Sequence, residues 1–434
     1  MKYAFSKTKT WLSFTEILYL ILFISVICAF RAVTSICIGL MVLTGLIEQK
    51  FKPRLFFSMH AENLFMTGCI LFFFLQLLSL TYTNDLYEGL SNAQKKTGLV
   101  FTPLAIYFLG NISRETSQKL FSRYSMLVLV ASFFLLCVAF TKYIPGQNTS
   151  VFFYHALVEP FSYHAVYFSI LVFIALAFLL ESLISRDYIV NKWFHLITIL
   201  FLSFFLFLLA SKLVLSFYIL YLGYLLITWS SKNQLSRLFT YTTGILIIFS
   251  TSFVLITKNP VSNRFRDFTN GNFSFFRQDK FSPTTYFNGL QFRLLQWKLV
   301  PQILTENHSW WTGVSIGDAQ TLLNKKYLKL NMYHGQSNRQ GHGYIDYNAH
   351  NQLLQSLLES GIPGAALFIV ICISLVLMTV RAGRRLLSFT VILLLIYLFV
   401  ESLFEEQYGI VIFTFWPLFI NNYYKTRQTM PAGA

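Results

Sequence analysis

The feature that most constrains this chain is a series of apolar runs, each close to 20 residues long. A helix needs about 20 apolar residues to cross the roughly 30 Å of hydrocarbon in a bilayer. Only 12% of the 434 residues are charged, against about 25% in an ordinary soluble domain. Lipid admits helices or closed barrels, and barrel strands would alternate apolar and polar residues. We therefore expect an all-α polytopic membrane protein.

The apolar runs predict about twelve transmembrane helices, of which the first, second, fourth and eleventh are short. In chain order the predicted spans are Glu16–Phe30, Val33–Ile47, Leu64–Thr81, Thr97–Leu109, Tyr124–Tyr143, Tyr163–Leu183, Trp193–Ala210, Leu213–Trp229, Thr240–Ile256, Gly361–Val380, Leu386–Val400 and Tyr408–Ile420. They divide the chain into a membrane domain at 1–256, a large hydrophilic loop at 257–360, and a second membrane domain with a tail at 361–434.

The net charge of +16 would suit a nucleic-acid-binding protein, but the placement of the basic residues argues against that class. If the amino terminus is cytoplasmic, eighteen Lys and Arg fall in inner segments and five in the short outer ones. Such a bias sets the orientation of membrane proteins. We therefore expect both termini in the cytoplasm, the large loop outside, the lipid bilayer as the surrounding partner, and no nucleic acid.

The loop at 257–360 is too long for a passive connector, and such loops are usually folded or functional. It holds four of the eight histidines. Helical periodicity predicts three short amphipathic helices, at Asn288–Leu304, within Trp310–Leu330 and at Asn351–Ser360. The second of them follows a glycine-rich turn, and Asp318 is predicted to cap its amino terminus. We expect the chemistry of the protein to lie in this loop.

His350 stands at the start of the last of these helices, on the face that carries Leu353 and Leu354. A helix amino terminus disfavours the imidazolium cation, so the ring should be neutral and able to accept a proton near pH 7. This is the state that a general base needs. The alternative is an interfacial histidine that only packs or caps.

The segment His350–Gly364 reads HNQLLQSLLESGIPG, ends the long outer loop and runs directly into a predicted span. It resembles the signature of the O-antigen ligase and O-antigen polymerase superfamily. Upstream, Arg293–Trp297 reads RLLQW and is similar to the family's Arg-x-x-x-Trp helix. Thr312–Asp318 reads TGVSIGD and is similar to its glycine-rich turn. The amino-terminal half is similar to the family only in topology.

The resemblance implies a glycosyltransferase of the bacterial inner membrane with a GT-C-like helical fold and a periplasmic active loop. Such enzymes take a glycan from undecaprenyl pyrophosphate, with no metal or other cofactor, and attach it to an acceptor hydroxyl. The acceptor is lipid A core in the ligase branch, another glycan in the O-antigen or exopolysaccharide polymerase branch, and protein Ser or Thr in a third branch. We prefer the ligase branch, for the form of the His350 segment and the size of the loop before it.

A pyrophosphate leaving group gains negative charge as the glycosidic bond breaks, so its site needs fixed cations. Arg293 matches the family's loop arginine and is predicted to grip two phosphate oxygens, unless its stem only snorkels along an amphipathic helix. Lys212 is the only charged residue between Trp193 and Thr228, and an ionisable group in such a setting is functional by default. The family has Ser-Arg where this chain has Ser-Lys, which keeps the charge but loses bidentate geometry. A plain interface anchor is the alternative for Lys212.

Under the resemblance, His350 deprotonates the acceptor hydroxyl, or alternatively orients the pyrophosphate by hydrogen bonding. Further substrate-binding candidates are Asn351, Glu401, Glu405, Arg264 and Arg266. The two glutamates stand at the outer end of the eleventh span, where they would bind acceptor sugars or pair with loop cations. The two loop arginines would add phosphate contacts or form a solvated loop edge.

Other kinds of site are less compatible with the sequence. The loop has no His-x-x-x-His or Asp-x-Asp pattern for a metal, and the chain has no GxxxxGK[ST] loop for ATP. A transporter of lipid-linked oligosaccharides would show Gly- or Pro-broken spans at matching positions of two halves. Here the polar chemistry is concentrated in one outer loop, which favours an enzyme.

Overall fold

The computed structural model describes residues 12–48, 60–110, 112–185, 191–230, 278, 280–335 and 343–428. Helices joined by turns and loops make up these ranges, and none of the residues in them forms a β-strand. The helices are α1 (Phe14–Ile27), α2 (Arg31–Glu48), α3 (Ala61–Ser79), α4 (Leu86–Lys96), α5 (Gly98–Leu109), α6 (Arg114–Gly146), α7 (Tyr154–Val158), α8 (Ala165–Ser185), α9 (Lys192–Leu208), α10 (Lys212–Ser230), α11 (Gly289–Glu306), α12 (Ala319–Lys329), α13 (Gln352–Ala382), α14 (Arg385–Leu398) and α15 (Gln407–Gln428).

The predicted spans coincide with helices wherever the structure describes them. Among the described residues, four helices are long and apolar enough to cross a bilayer: α3 with the turn after it, α6, α8 and α13. Shorter apolar helices are α1, α2, α9, α10 and α14. The all-α membrane class is therefore confirmed. The count of twelve spans stays a prediction, and the ninth, Thr240–Ile256, lies outside the described residues.

Two helices without a polar face run through the middle of the bundle. Most of α8 is buried, and α15 is buried continuously over Tyr408–Tyr424. The ring centroid of Trp416 lies 4.3 Å from that of Tyr124 in α6. The same ring stacks on Phe23 of α1, with the two ring centroids 5.7 Å apart. A helix that is apolar all round is surrounded either by lipid or by other helices, and these two helices are covered by other helices. The short run predicted as the last span is therefore a central helix.

Ion pairs tie helix ends together at both ends of the bundle. At the end predicted as cytoplasmic, Glu62 of α3 accepts a hydrogen bond from Asn421 at 3.0 Å and pairs with Lys425. At the opposite end, Arg31 pairs with Glu406 at 3.0 Å. Helix ends that the charge bias predicts on one side thus meet in the structure. Which side faces the cytoplasm stays a prediction.

The described part of the large loop folds around an apolar core of its own, separate from the core of the membrane helices. Leu295 and Ile303 of α11 and Leu323 of α12 are buried in it. α11 begins where predicted because Asn288 and Gln291 form a reciprocal cap, each side chain accepting the other's backbone amide at 2.9 and 3.0 Å. The predicted helices of the loop are confirmed, although polar side chains are buried in the last of them, among them those of Gln352, Gln355, Ser356 and Glu359.

Asp318 precedes α12, but its side chain does not cap that helix, so the predicted cap is wrong. The carboxylate instead accepts hydrogen bonds from the backbone amides of Asn84 and Asp85, at 2.9 and 3.1 Å. Those amides lie at the start of α4, a helix that the sequence analysis missed. Both amides lack a helical acceptor, and the carboxylate satisfies them with charge-assisted hydrogen bonds. The bonds attach the large loop to the membrane domain.

α13 is broken at Gly361, whose φ of 65° lies in the left-handed region. Pro363 has no amide hydrogen to donate to the carbonyl of Glu359, and the amide of Ile362 donates outside the helix instead of to Leu358. Two carbonyl groups thereby lose their helical donors. They need replacements, because an unpaired buried carbonyl is costly.

The glycine-rich turn of the loop supplies both replacements. The amides of Val314 and Ser315 donate to the freed carbonyl oxygens of Leu358 and Glu359, at 2.8 and 3.1 Å. A Cβ on Gly361 would lie 2.4 Å from the carbonyl oxygen of Trp311, so no other residue fits there. The turn and the break therefore form one joint, which fixes the loop against the outer end of α13.

Candidate active site

His350 lies in the turn directly before α13, with a φ of 44° that residues other than glycine rarely adopt. Asn348 holds this conformation, because its side-chain oxygen accepts the His350 amide at 2.9 Å. The carbonyl oxygen of Asn348 lies 3.1 Å from His350 Nδ1. A carbonyl oxygen can only accept, so this contact assigns the proton of the neutral ring to Nδ1 and the lone pair to Nε2.

The pKa of His350 is lowered, chiefly because the ring is buried and the imidazolium loses its hydration. The Glu401 carboxylate opposes this shift, and the Arg293 guanidinium adds to it. The neutral ring predicted from the sequence is therefore supported. The main cause is burial rather than the helix amino terminus, since His350 stands before the cap residue Asn351.

Arg293 of α11 is fixed by two backbone carbonyl groups. Its Nε donates to the carbonyl oxygen of Val400 at 2.8 Å, and Nη1 donates to that of Gly289 at 2.9 Å. Nη2 lies 3.6 Å from Glu401 Oε2, which is an ion pair but longer than a hydrogen bond. The side chain is 29% exposed. Arg293 is thus a cation held in place by two backbone carbonyl groups, and its Nη2 faces the Glu401 carboxylate.

The Glu401 carboxylate joins the histidine and the arginine. Its Oε1 lies 3.7 Å from Nε2 of His350, while its Oε2 faces Arg293. Glu401 and His350 are each 15% exposed, so their interaction is only weakly screened by water. The structure therefore brings together three predicted site residues from distant parts of the chain. Together they can accept a proton, stabilise the resulting imidazolium and bind an anion.

Asn351 connects this group to the segment that carries Glu401. Its side-chain oxygen caps α13 by accepting the amide of Leu354 at 3.0 Å. Its side-chain nitrogen donates to the carbonyl of Phe399, and its own amide donates to the hydroxyl of Ser402, both at 3.2 Å. These bonds give Asn351 a positioning role, and its binding of substrate stays a prediction.

Lys212 is the first residue of α10 and is half-buried. The preceding residue, Ser211, is buried, and its side chain lies near that of Tyr397 of α14. Tyr397 is close enough to Glu401 and Arg293 to interact with their charges. The turn that carries Lys212 is therefore joined to the site through one tyrosine.

Glu405 lies in a different environment from Glu401. In the short helix Leu403–Glu405, its Oε1 is 2.9 Å from Nζ of Lys96, and the same ammonium is 2.7 Å from Oε2 of Glu359. Burial raises the pKa of Glu405 to about 7, and Glu359 adds to the rise while Lys96 opposes it. Substrate binding by Glu405 stays a prediction; the partners that the structure gives it are protein side chains.

Lys96 is the residue near the site that the sequence analysis missed. The pattern of Asp85 three residues before Glu88 could have predicted the start of α4, the helix that carries Lys96, but not the contacts of Lys96 with distant glutamates. Two of the predicted phosphate contacts, Arg264 and Arg266, lie outside the described residues.

Fold and site define a helical membrane protein in which a neutral histidine and a fixed arginine of the large loop meet a carboxylate from the segment after α14. Residues 197–369, less than half of the chain, match the model of the O-antigen ligase family. The matched region includes α10, Arg293 and His350. This match is consistent with the O-antigen ligase and polymerase superfamily, and the predicted resemblance is confirmed. In a comparison with curated proteins, none matches this chain.

The family match also supports a coarse statement of function. Its members are glycosyltransferase-like enzymes, and the family implies lipid-linked glycan substrates in a membrane. It further supports a role in O-antigen or lipopolysaccharide biosynthesis.

Proposed function

We propose that this protein is a metal-independent glycosyltransferase of the O-antigen ligase type. It moves a glycan from undecaprenyl pyrophosphate to a hydroxyl of lipid A core, at the periplasmic face of the bacterial inner membrane, without a cofactor. The observation that carries the proposal is the position of Glu401, 3.7 Å from the neutral ring of His350 and 3.6 Å from the guanidinium of Arg293. This group combines the base and the anion-binding cation that the reaction needs.

His350 is the general base of the proposed reaction. The acceptor hydroxyl gives its proton to Nε2 as its oxygen bonds to the anomeric carbon. The bond from that carbon to the pyrophosphate oxygen breaks, and the electron pair leaves with the pyrophosphate. The imidazolium then has the Glu401 carboxylate beside Nε2, which stabilises the positive charge.

Arg293 is the principal cation for the leaving group. Its plane is set by the two backbone carbonyls, so binding a phosphate oxygen at Nη2 requires little ordering of the side chain. Lys212 supplies a second positive charge from the start of α10. A lysine acts there as a point charge, without the two-pronged geometry of an arginine.

An apolar groove between α13 and α14 supports a lipid-linked donor. It has a volume of about 340 Å³, and Leu353 and Phe399 are among its lining residues. Both stand next to the site, since Asn351 donates to the carbonyl of Phe399. A pyrophosphate bound at Arg293 would bring the polyprenyl chain to this groove, where burial of its methylene groups is favourable.

The proposal is tested with the purified full chain in nanodiscs, supplied with a labelled glycan on undecaprenyl pyrophosphate and a metal chelator. Lipid A core, a second donor molecule and a Ser/Thr peptide are offered as acceptors in separate reactions. We expect label on lipid A core. His350→Ala should lower kcat by about 100-fold or more, the usual size of a general-base contribution. The matched control is His334→Ala, because His334 is an exposed histidine of the same loop.

Other outcomes would contradict specific parts of the proposal. Label on the second donor would identify a polymerase, and label on the peptide a protein O-oligosaccharyltransferase. Full transfer by both His350→Ala and Arg293→Ala would refute the site. A strict requirement for metal would refute the mechanism. Movement of the donor across the bilayer with no transfer to any acceptor would identify a transporter.

A further inference from the structure

Lys96 is a fully buried cation close to the candidate site. Its side chain is 1% exposed, and its ammonium contacts both Glu359 and Glu405. Glu359 is equally buried and accepts two further hydrogen bonds, from Gln76 at 2.9 Å and Gln355 at 2.8 Å. One network of buried polar groups therefore links α3, α4, α13 and the short helix Leu403–Glu405.

Such a network is costly, because taking ions out of water offsets much of their attraction. Apolar side chains of similar volume often stabilise a fold as well or better, so stability alone does not account for buried ions. An ion network does hold its members in a fixed arrangement, since each charge is satisfied in only one arrangement of its partners.

The arrangement that Lys96 fixes includes the segment Phe399–Glu406. At one end of the segment, Asn351 bonds to Phe399 and Ser402. In the middle, the amide of Phe404 donates to the side-chain oxygen of Gln352 at 2.8 Å. At the far end, Lys96 binds Glu405. The segment is thus attached to α13 along its length, and Glu401 lies within it.

We propose that Lys96, with Glu359 and Glu405, is a positioning network that holds the segment Phe399–Glu406 against α13, so that the Glu401 carboxylate faces His350 and Arg293. None of the three residues touches the reacting atoms. The inference rests on the proposed function, because the pH dependence of the transfer reaction reports the position of Glu401.

The pH dependence of the transfer reaction reports the pKa of His350, and each group that faces the ring shifts this pKa in a definite direction. Glu401, from the segment, raises the pKa of the ring, whereas Arg293, from α11, lowers it, and the Asn348 carbonyl raises it. Tyr347 packs against the ring at 5.5 Å. If the segment loosens and Glu401 withdraws, the pKa of His350 falls further. The acid limb of the kcat/KM profile then moves to lower pH, a change that a general loss of folded protein does not produce.

The experiment compares Lys96→Met and Lys96→Arg with the wild type, as full chains in nanodiscs under the transfer assay. We expect Lys96→Met to lower kcat by about 10-fold to 100-fold, the size that a small misplacement of a catalytic group produces. The KM for the donor should change little, and the acid limb should move to lower pH. Lys96→Arg keeps the charge, so it should restore part of kcat and return the acid limb of the kcat/KM profile toward its wild-type pH. The matched control is Lys95→Met, since Lys95 bonds only locally to Asn92, at 2.9 Å.

If Lys96→Met does not fold, Glu359→Gln and Glu405→Gln replace it, because both keep the shape of the side chain. Unchanged kcat and an unmoved acid limb in a folded variant would overturn the proposal. A lower kcat with an unmoved limb would also overturn it, since Lys96 would then be only structural. Activity retained in His350→Ala is a different failure, which removes the proposed function itself.

Discussion

Replacing Glu405 by Gln should flatten the pH dependence of this protein's stability. The pKa of Glu405 is about 7 in the folded chain, against an ordinary value of 4.5, chiefly because the carboxyl group is buried. Between these two values the folded state holds the proton more tightly than the unfolded state. The stability that this proton contributes is fully present below pH 4.5 and is lost as the pH rises through 7.

The size of the effect follows from the two values. One pKa unit corresponds to about 1.4 kcal/mol. The interval from 4.5 to about 7 therefore corresponds to about 3 to 4 kcal/mol of unfolding free energy, nearly all of it lost between pH 4.5 and pH 8. Glutamine cannot ionise, so the variant should not lose this amount.

The assay is unfolding by denaturant in one detergent, at several pH values from 5 to 8, for the wild type and Glu405→Gln. The lowered pKa of His350 acts in the opposite direction, but it is common to both proteins and cancels in their difference. The matched control is Glu406→Gln. Its pair with Arg31 is 40% exposed on the Glu406 side, and such pairs contribute about 1 kcal/mol or less. Parallel stability curves for the wild type and Glu405→Gln would refute the reasoning.

Three further expectations concern the site and the joint that holds it. Gly361→Ala should lower the free energy of unfolding by about 3 kcal/mol, because the added Cβ would meet the Trp311 carbonyl. Gly383→Ala is the control in the same denaturant unfolding experiment, because Gly383 also has a positive φ but has open space around it. Arg293→Lys should lower kcat by about 10-fold or more, since it loses both carbonyl bonds; equal kcat would contradict the role of the fixed guanidinium. The acid limb of wild-type kcat/KM should lie below pH 6.5, because the pKa of His350 is lowered; a limb above that value would exclude His350 as the base.

The membrane class and most helix positions could be predicted because the apolar runs depend on local sequence. The same reasoning did not predict which helices lie at the centre of the bundle. The last predicted span, Tyr408–Ile420, belongs to α15, which is buried continuously over Tyr408–Tyr424. Hydropathy reports that a helix is apolar all round, but not whether lipid or protein surrounds it.

The site could be predicted in part, for a related reason. His350 and Arg293 stand in motifs that can be read along the chain, and the structure brings them together through Glu401. Lys96 could not be found in that way, since it lies far from Glu359 in the sequence. Asp318 was assigned to the wrong amides for the same reason, because its partners belong to α4. Contacts between distant segments are decided by packing, which no local pattern records.

Under the proposed function, the arrangement of charges at His350 would also link donor binding to the strength of the base. Arg293 lowers the pKa of His350, while Glu401 raises it. An anion bound at Arg293 offsets the positive charge of the guanidinium, so its lowering effect on the ring weakens. The raising effect of Glu401 remains, since its Oε1 still faces Nε2. We therefore expect the histidine of the proposed mechanism to be a stronger base when the pyrophosphate is bound, which is when the acceptor hydroxyl would lose its proton.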